Sequence, residues 1–232
     1  MEIILMRRRC TSLLILIILF LTTNVSYATA IVTVLFDGFS ASSGSTSGMD
    51  TLSSTLTSRF GTAHPTTTFS SRVFRHFEQQ QAFNYINSFN DICCLVLVGH
   101  SLGGDSVIEL ANDFLLPRHV DLTVQIDSVG IGDDVLPTNV GTGFNYFQIS
   151  TGLFEPQGEL VVLGATNINV ETLFSDPTIT HTSIDDDSRL HNAIFLNIEA
   201  ACVPEPSSLA IFLSGVGMKF CYRRRRKCYA TA

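Results

Sequence analysis

The chain contains no tryptophan, and between Ile31 and Cys202 it contains no lysine either. Over that stretch five arginines (Arg59, Arg72, Arg75, Arg118 and Arg189) face nineteen aspartates and glutamates, a net charge near −14, although the whole chain carries only −7. So acidic a surface repels phosphate backbones and anionic lipid, and no basic patch exists to overcome the repulsion, so nucleic-acid partners are excluded. Metal-ligand spacings and Cys-x-x-Cys pairs are also missing, and no metal or cofactor is expected. Internal repeats are absent, which removes solenoids and propellers. Cys93 and Cys94 are adjacent in an apolar segment, so they point to opposite faces of a strand and at most one can pair with Cys202. A buried free thiol is the expected state.

The two ends read as addresses. Arg7, Arg8 and Arg9 lead into the apolar run Leu13 to Leu21, and small residues follow at Ser26-Tyr27-Ala28 and Ala28-Thr29-Ala30. This is the pattern of a secretory signal peptide, cut after Ala28 or Ala30. The C-terminal part runs Val203-Pro204-Glu205-Pro206, then an apolar stretch from Leu209 to Met218, then Arg223 to Arg226 and Lys227. It resembles a PEP-CTERM sorting tail. The resemblance implies an exosortase-type processing enzyme, a membrane-anchored precursor, and a final place in the cell envelope or extracellular matrix of a Gram-negative bacterium. Basic residues held on the cytoplasmic side fit a membrane-arresting segment, although the apolar stretch is shorter than the ~20 residues of a full span. A plain C-terminal anchor helix is the alternative. The chain thus divides into 1–30 (signal), 31–202 (one domain) and 203–232 (sorting segment). A core of about 170 residues is long enough to bury roughly 70% of its unfolded surface.

Within the core, apolar runs at Ile31 to Phe36, Ile92 to Val98, Leu122 to Ile126 and Leu160 to Leu163, with a short strand at Thr66 to Phe69, predict about five strands. Helical spacing appears at Met49, Leu52, Leu56 and Phe60, over Phe77 to Phe89, over Leu102 to Leu116, and over Ser188 to Ala200. Alternating strands and helices predict an α/β fold, a mostly parallel sheet with helices on both faces, every strand's C-terminal end on one edge. The irregular segment from Asp127 to Glu159 carries Phe144, Tyr146, Phe147 and Phe154, read as a substrate-facing flap or as an apolar cluster beneath a long loop.

Leu95 to Gly104 reads LVLVGHSLGG, a buried strand running into a G-x-S-x-G turn and a helix. Such a turn holds its serine strained and exposed at the sheet edge, with glycines where strand and helix converge. Ser101 is therefore the candidate nucleophile. A serine hydroxyl needs a histidine to take its proton and a carboxylate to orient that histidine. Asp127 ends the strand expected beside the Ser101 strand, while Asp133 and Asp134 read as turn residues. Among six histidines, His100 is expected to point away from the site, His64 and His76 precede the nucleophile, and His119 falls at the opposite sheet edge. His181, in a polar loop before the last helix, is the first choice. His191, within that helix, is the alternative. Backbone N–H groups of Leu102 and Phe39 are the candidate oxyanion donors. Asp185, Asp186 and Asp187 form the one dense acidic run, read as a helix N-terminal cluster in preference to a calcium site.

The order Ser101, Asp127, His181, with the Gly99-x-Ser101-x-Gly103 turn, resembles a small α/β-hydrolase of the lipase, esterase and thioesterase kind. Gln125-Ile126-Asp127-Ser128 is similar to the acid-bearing strand end of pancreatic-type lipases, and Asp37-Gly38-Phe39 resembles their His-Gly-Phe oxyanion loop with aspartate in place of histidine. The resemblance implies a minimal α/β-hydrolase without a helical cap, acting on an acyl ester or thioester substrate, small or lipid-like, through an acyl-Ser101 intermediate. Two other functions fit the same residues: a non-catalytic surface or exopolysaccharide-matrix protein, and an acyltransferase.

Overall fold

The computed structural model describes residues 30–39, 47–150 and 156–203. The expected signal and sorting segments lie outside the described residues except for Ala30 and Val203, and Phe154 lies outside them as well. Six parallel strands form one sheet: β1 (Ala30–Asp37), β2 (Thr68–Arg75), β3 (Ile92–His100), β4 (Val120–Ile126), β5 (Val140–Phe147) and β6 (Thr166–Asn169), in the order β2-β1-β3-β4-β5-β6. The helices are α1 (Gly48–Ala63), α2 (Gln79–Asn87), α3 (Leu102–Glu109, continued by a π-helical turn over Leu110–Phe114), α4 (Val170–Phe174) and α5 (Ser188–Cys202).

Strand alternation sorts the core into two layers. Ile31 and Leu35 of β1 and Cys94, Val96 and Val98 of β3 pack on Met49, Leu52, Leu56 and Phe60 of α1 and on Leu190, Ile194, Phe195 and Ile198 of α5. Val32, Val34, Phe36, Leu95 and Leu97 face the other way, onto Ala82 and Ile86 of α2 and Val107, Leu110 and Ala111 of α3 and its extension. Each buried aliphatic or aromatic side chain contributes about 1.5–3 kcal/mol. The entry to α1 is closed by a capping box, Ser47 accepting from the Asp50 N–H and Asp50 from the Ser47 N–H.

Six strands stand where about five were expected, because the segment after Asp127 contains β5. Its sequence VGTGFNYF has two glycines, which hid a strand that tertiary pairing with β4 on one side and β6 on the other secures. Phe144 and Tyr146 therefore belong to the core, not to a flap; the Tyr146 hydroxyl meets Asn197 of α5 at 2.6 Å. Leu160 to Leu163 is not a strand: Leu163 makes a single bridge to Val135, and the sixth strand lies just beyond it. Cys94 is not a free thiol. It is joined to Cys202, tying the end of α5 to the start of β3, and Cys93 on the opposite face stays free and exposed.

The chain leaves β1 for β2 on one side and then for β3 on the other, so the strand order reverses between β1 and β3. A crevice opens at such a reversal, beyond the carboxyl ends of the strands. The turn bearing Ser101 follows β3 at that edge.

Candidate active site

Ser101 has φ 55° and ψ −126°, a region that costs a non-glycine residue on the order of 1–3 kcal/mol. The surroundings impose it. Its N–H donates to the Ile126 carbonyl at 3.0 Å, and its own carbonyl accepts from Gly104 and Val129 at 2.9 and 3.1 Å. Strand and helix meet so closely that a Cβ on Gly99 would lie 2.0 Å from the Gly103 carbonyl oxygen, and one on Gly103 would lie 2.3 Å from that of Phe36.

Asp127 comes one residue after β4, which is paired with β3 to its last residue, so its carboxylate is delivered beside Ser101. It has no solvent exposure. A buried carboxylate survives only when its lone pairs are met. Gln148 supplies its backbone N–H at 3.3 Å to Oδ1 and its amide at 3.1 Å to Oδ2, and the imidazole Nδ1 of His181 lies 2.6 Å from Oδ2. Gly158 closes the far side, where a Cβ would stand 2.5 Å from Oδ1.

His181 sits in a tight turn, Thr180 to Ser183, which is closed by N–H groups of Ser183 and Ile184 donating to the Thr180 carbonyl at 3.1 and 3.0 Å. With Asp127 accepting at Nδ1, that nitrogen carries the proton and Nε2 is bare. Nε2 lies 2.9 Å from Ser101 Oγ, so the hydroxyl donates to it. A hydroxyl, a base able to take its proton and a carboxylate able to hold the resulting imidazolium thus stand in line.

Of the two oxyanion candidates, Leu102 opens α3, where backbone N–H groups lack helical acceptors. Phe39 follows Gly38, whose main chain presses on the serine: a Cβ on Gly38 would be 2.8 Å from Ser101 Cβ. The Phe39 side chain is 77% exposed. His191, the alternative base, is elsewhere; its Nε2 donates to the Asp185 carbonyl at 2.6 Å from within α5.

His100 does not point away from the site. Residues 94, 96, 98 and 100 of β3 share one face, which turns the imidazole toward α1 and α5; its Nε2 lies 2.9 Å from the His181 carbonyl oxygen and its Nδ1 3.4 Å from Asp185 Oδ2. The alternation already visible at Cys94, Val96 and Val98 was the signal for this placement. Burial and the neighbouring His181 push the His100 pKa down to about 4.

The acidic run divides by function. Asp187 caps α5, accepting from the Arg189 N–H at 2.8 Å, as a helix N-terminal cluster should. Asp185 is instead buried, and burial with the nearby Asp186 pushes its carboxyl up to about 7. Asp133 lies in the loop between β4 and β5, as expected of a turn residue, and there it is buried and accepts from the Ser128 hydroxyl. His64 meets Glu199 of α5 at 2.8 Å and His119, just before β4, lies near Asp121. Among the described residues no group of three or more His, Cys, Asp or Glu side chains is placed to hold a metal ion, and no helix is long and apolar enough to cross a membrane.

No protein family matches this chain, and no curated protein matches its sequence significantly.

Proposed function

We propose that this chain is an exported serine hydrolase of the α/β-hydrolase kind, cleaving an ester or thioester through an acyl-Ser101 intermediate. The observation that carries the reading is the Ser101 hydroxyl lying 2.9 Å from a His181 Nε2 whose other nitrogen is 2.6 Å from buried Asp127. In this reading His181 takes the hydroxyl proton as Oγ attacks the carbonyl carbon, and Leu102 and Phe39 N–H groups meet the charge that develops on the carbonyl oxygen. His181 then returns the proton to the leaving group. Water attacks the acyl-enzyme by the same path in reverse.

The all-parallel sheet supports the hydrolase assignment, with nucleophile, acid and histidine following β3, β4 and β6 in that order. The exposed apolar side chain of Phe39, beside the Gly38 that abuts Ser101, suits an acyl or aromatic group. Export rests on the signal-like and sorting-like ends, and the Cys94–Cys202 disulfide supports it, since such bonds persist in oxidising compartments.

The test is covalent labelling of the full-length chain with a fluorophosphonate probe, followed by peptide mass spectrometry. Labelling at Ser101 that disappears in Ser101→Ala is expected. Folded protein that stays unlabelled overturns the proposal and leaves a non-catalytic surface protein. Nitrophenyl esters of increasing chain length then rank the acyl groups accepted.

A further inference from the structure

We propose that His100 and Asp185 are a positioning pair for the proposed base: His100 holds the main chain at His181, and Asp185 holds His100 in the one tautomer that can do so. The inference rests on the reading of Ser101 as nucleophile and goes beyond it, to what controls the site.

His181 stands on a loop, and its bond to Asp127 fixes only one ring nitrogen. Its carbonyl is the second anchor. A carbonyl can only accept, so the His100 Nε2 facing it at 2.9 Å must carry a hydrogen. His100 is neutral at ordinary pH, because burial and the His181 imidazole oppose its charge. A neutral imidazole protonated at Nε2 presents a bare lone pair at Nδ1. The group facing that lone pair is Asp185 Oδ2, 3.4 Å away. A protonated carboxyl complements it and a carboxylate repels it.

The surroundings favour the protonated carboxyl. Asp185 is 7% exposed, and Gly48 at the start of α1 packs so tightly on it that a Cβ there would lie 2.5 Å from Oδ2. The titratable groups around the pair are Asp37 at the end of β1, itself beside Asp50 in the first turn of α1, Asp127 and His181 across the site, and Asp186 and His191 on the Asp185 side. Asp186 and Asp37 raise the Asp185 pKa further, and the total brings it to about 7. The competent state therefore holds two protons, one on His100 Nε2 and one between Nδ1 and Oδ2. As pH rises through about 7 the second is lost. The carboxylate then draws the remaining proton to Nδ1, which leaves Nε2 bare against the His181 carbonyl and releases the loop. Only this one proton is lost near neutrality, so one alkaline limb is expected, and its midpoint belongs to the coupled pair and not to either residue.

The experiment is the rate of fluorophosphonate labelling of the full-length chain between about pH 5 and pH 9, for wild type, His100→Phe, Asp185→Leu and Asp185→Asn. His100→Phe and Asp185→Leu are expected to lose about 10- to 100-fold at neutral pH, the scale of a misplaced catalytic group. Asp185→Asn supplies a permanent amide donor toward Nδ1. It is expected to recover most of what Asp185→Leu loses and to remove the alkaline decline of the wild type. A folded His100→Phe that labels at the wild-type rate, or an alkaline limb unchanged in Asp185→Asn, overturns the proposal while leaving the hydrolase reading intact. If His100→Phe does not fold, the Asp185→Asn profile decides alone. Wild type that is unlabelled at every pH removes the hydrolase reading, and the pair's role with it.

Discussion

His181 Nδ1 and Asp127 Oδ2 lie 2.6 Å apart across 54 residues of sequence, and the carboxylate is sealed from solvent. Asp127→Asn keeps the shape and removes the charge. The new amide can turn its N–H toward Nδ1, which forces the imidazole proton to Nε2 and leaves no acceptor for the Ser101 hydroxyl. For the proposed hydrolase a loss of about 10⁴-fold in turnover is expected, the size of such a tautomer reversal in a serine triad. Steady-state kinetics on a nitrophenyl ester checks it, with circular dichroism showing a retained fold.

Gly38 sets how closely the loop after β1 approaches Ser101. A Cβ there would lie 2.8 Å from Ser101 Cβ and 3.1 Å from the His100 carbonyl oxygen, so Gly38→Ala must push this loop outward. The Phe39 N–H moves with it. If this N–H is one of the two oxyanion donors of the proposed hydrolase, its loss costs roughly 10²–10³-fold, and a fall in kcat of that order with little change in Tm is expected. Fluorophosphonate labelling together with a thermal melt separates this from general destabilisation.

Much of the candidate site was legible because its residues sit at marked places in the chain. Gly99 and Gly103 bracket Ser101 where two backbones touch, and Asp127 directly follows an apolar strand. His181 stood out by elimination, in a polar loop before the last helix. The rest was hidden by context. His100 looked like part of the turn, whereas it continues the face of Cys94, Val96 and Val98, and nothing local marks Asp185 as buried while its neighbour Asp187 caps α5. β5 escaped for the opposite reason: its glycines read as loop, and only pairing on both edges makes Val140–Phe147 a strand. The Cys94–Cys202 bond likewise depends on where α5 ends over the sheet, a distance no spacing in sequence reports.

That disulfide spans 108 residues and closes most of the fold into one loop. Cys202→Ser is expected to destabilise the chain by about 2–5 kcal/mol, chiefly by freeing the unfolded state. Cys94 lies near the start of β3 and Ser101 just past its end, so the site is remote from the bond. Labelling of the folded variant at Ser101 should therefore stay within about twofold of wild type at 25 °C while Tm falls by roughly 2–4 °C per kcal/mol. A thermal melt with and without reductant, beside the labelling rate, checks both halves.

Asp105, in the first turn of α3, has its carboxyl pushed up to about 6 by burial, then by Glu109 and Asp133. The positive end of the helix dipole would favour its charge, but burial prevails; Gly130 packs so closely that a Cβ there would lie 2.4 Å from the Asp105 carboxyl carbon. Because the folded pKa lies above the unfolded value of 3.8, the native state binds more protons between the two. Stability from this group is therefore present at low pH, falls as pH climbs through about 6, and is fully lost above it. Asp105→Asn removes the ionisation. It is expected to raise stability by about 1–2 kcal/mol at pH 7, after discounting for partial solvent access, and to change little near pH 4. Urea unfolding of both proteins across that interval measures the difference, which must grow with pH; a difference independent of pH would mean that the substitution acts through packing against Gly130 and not through the buried charge.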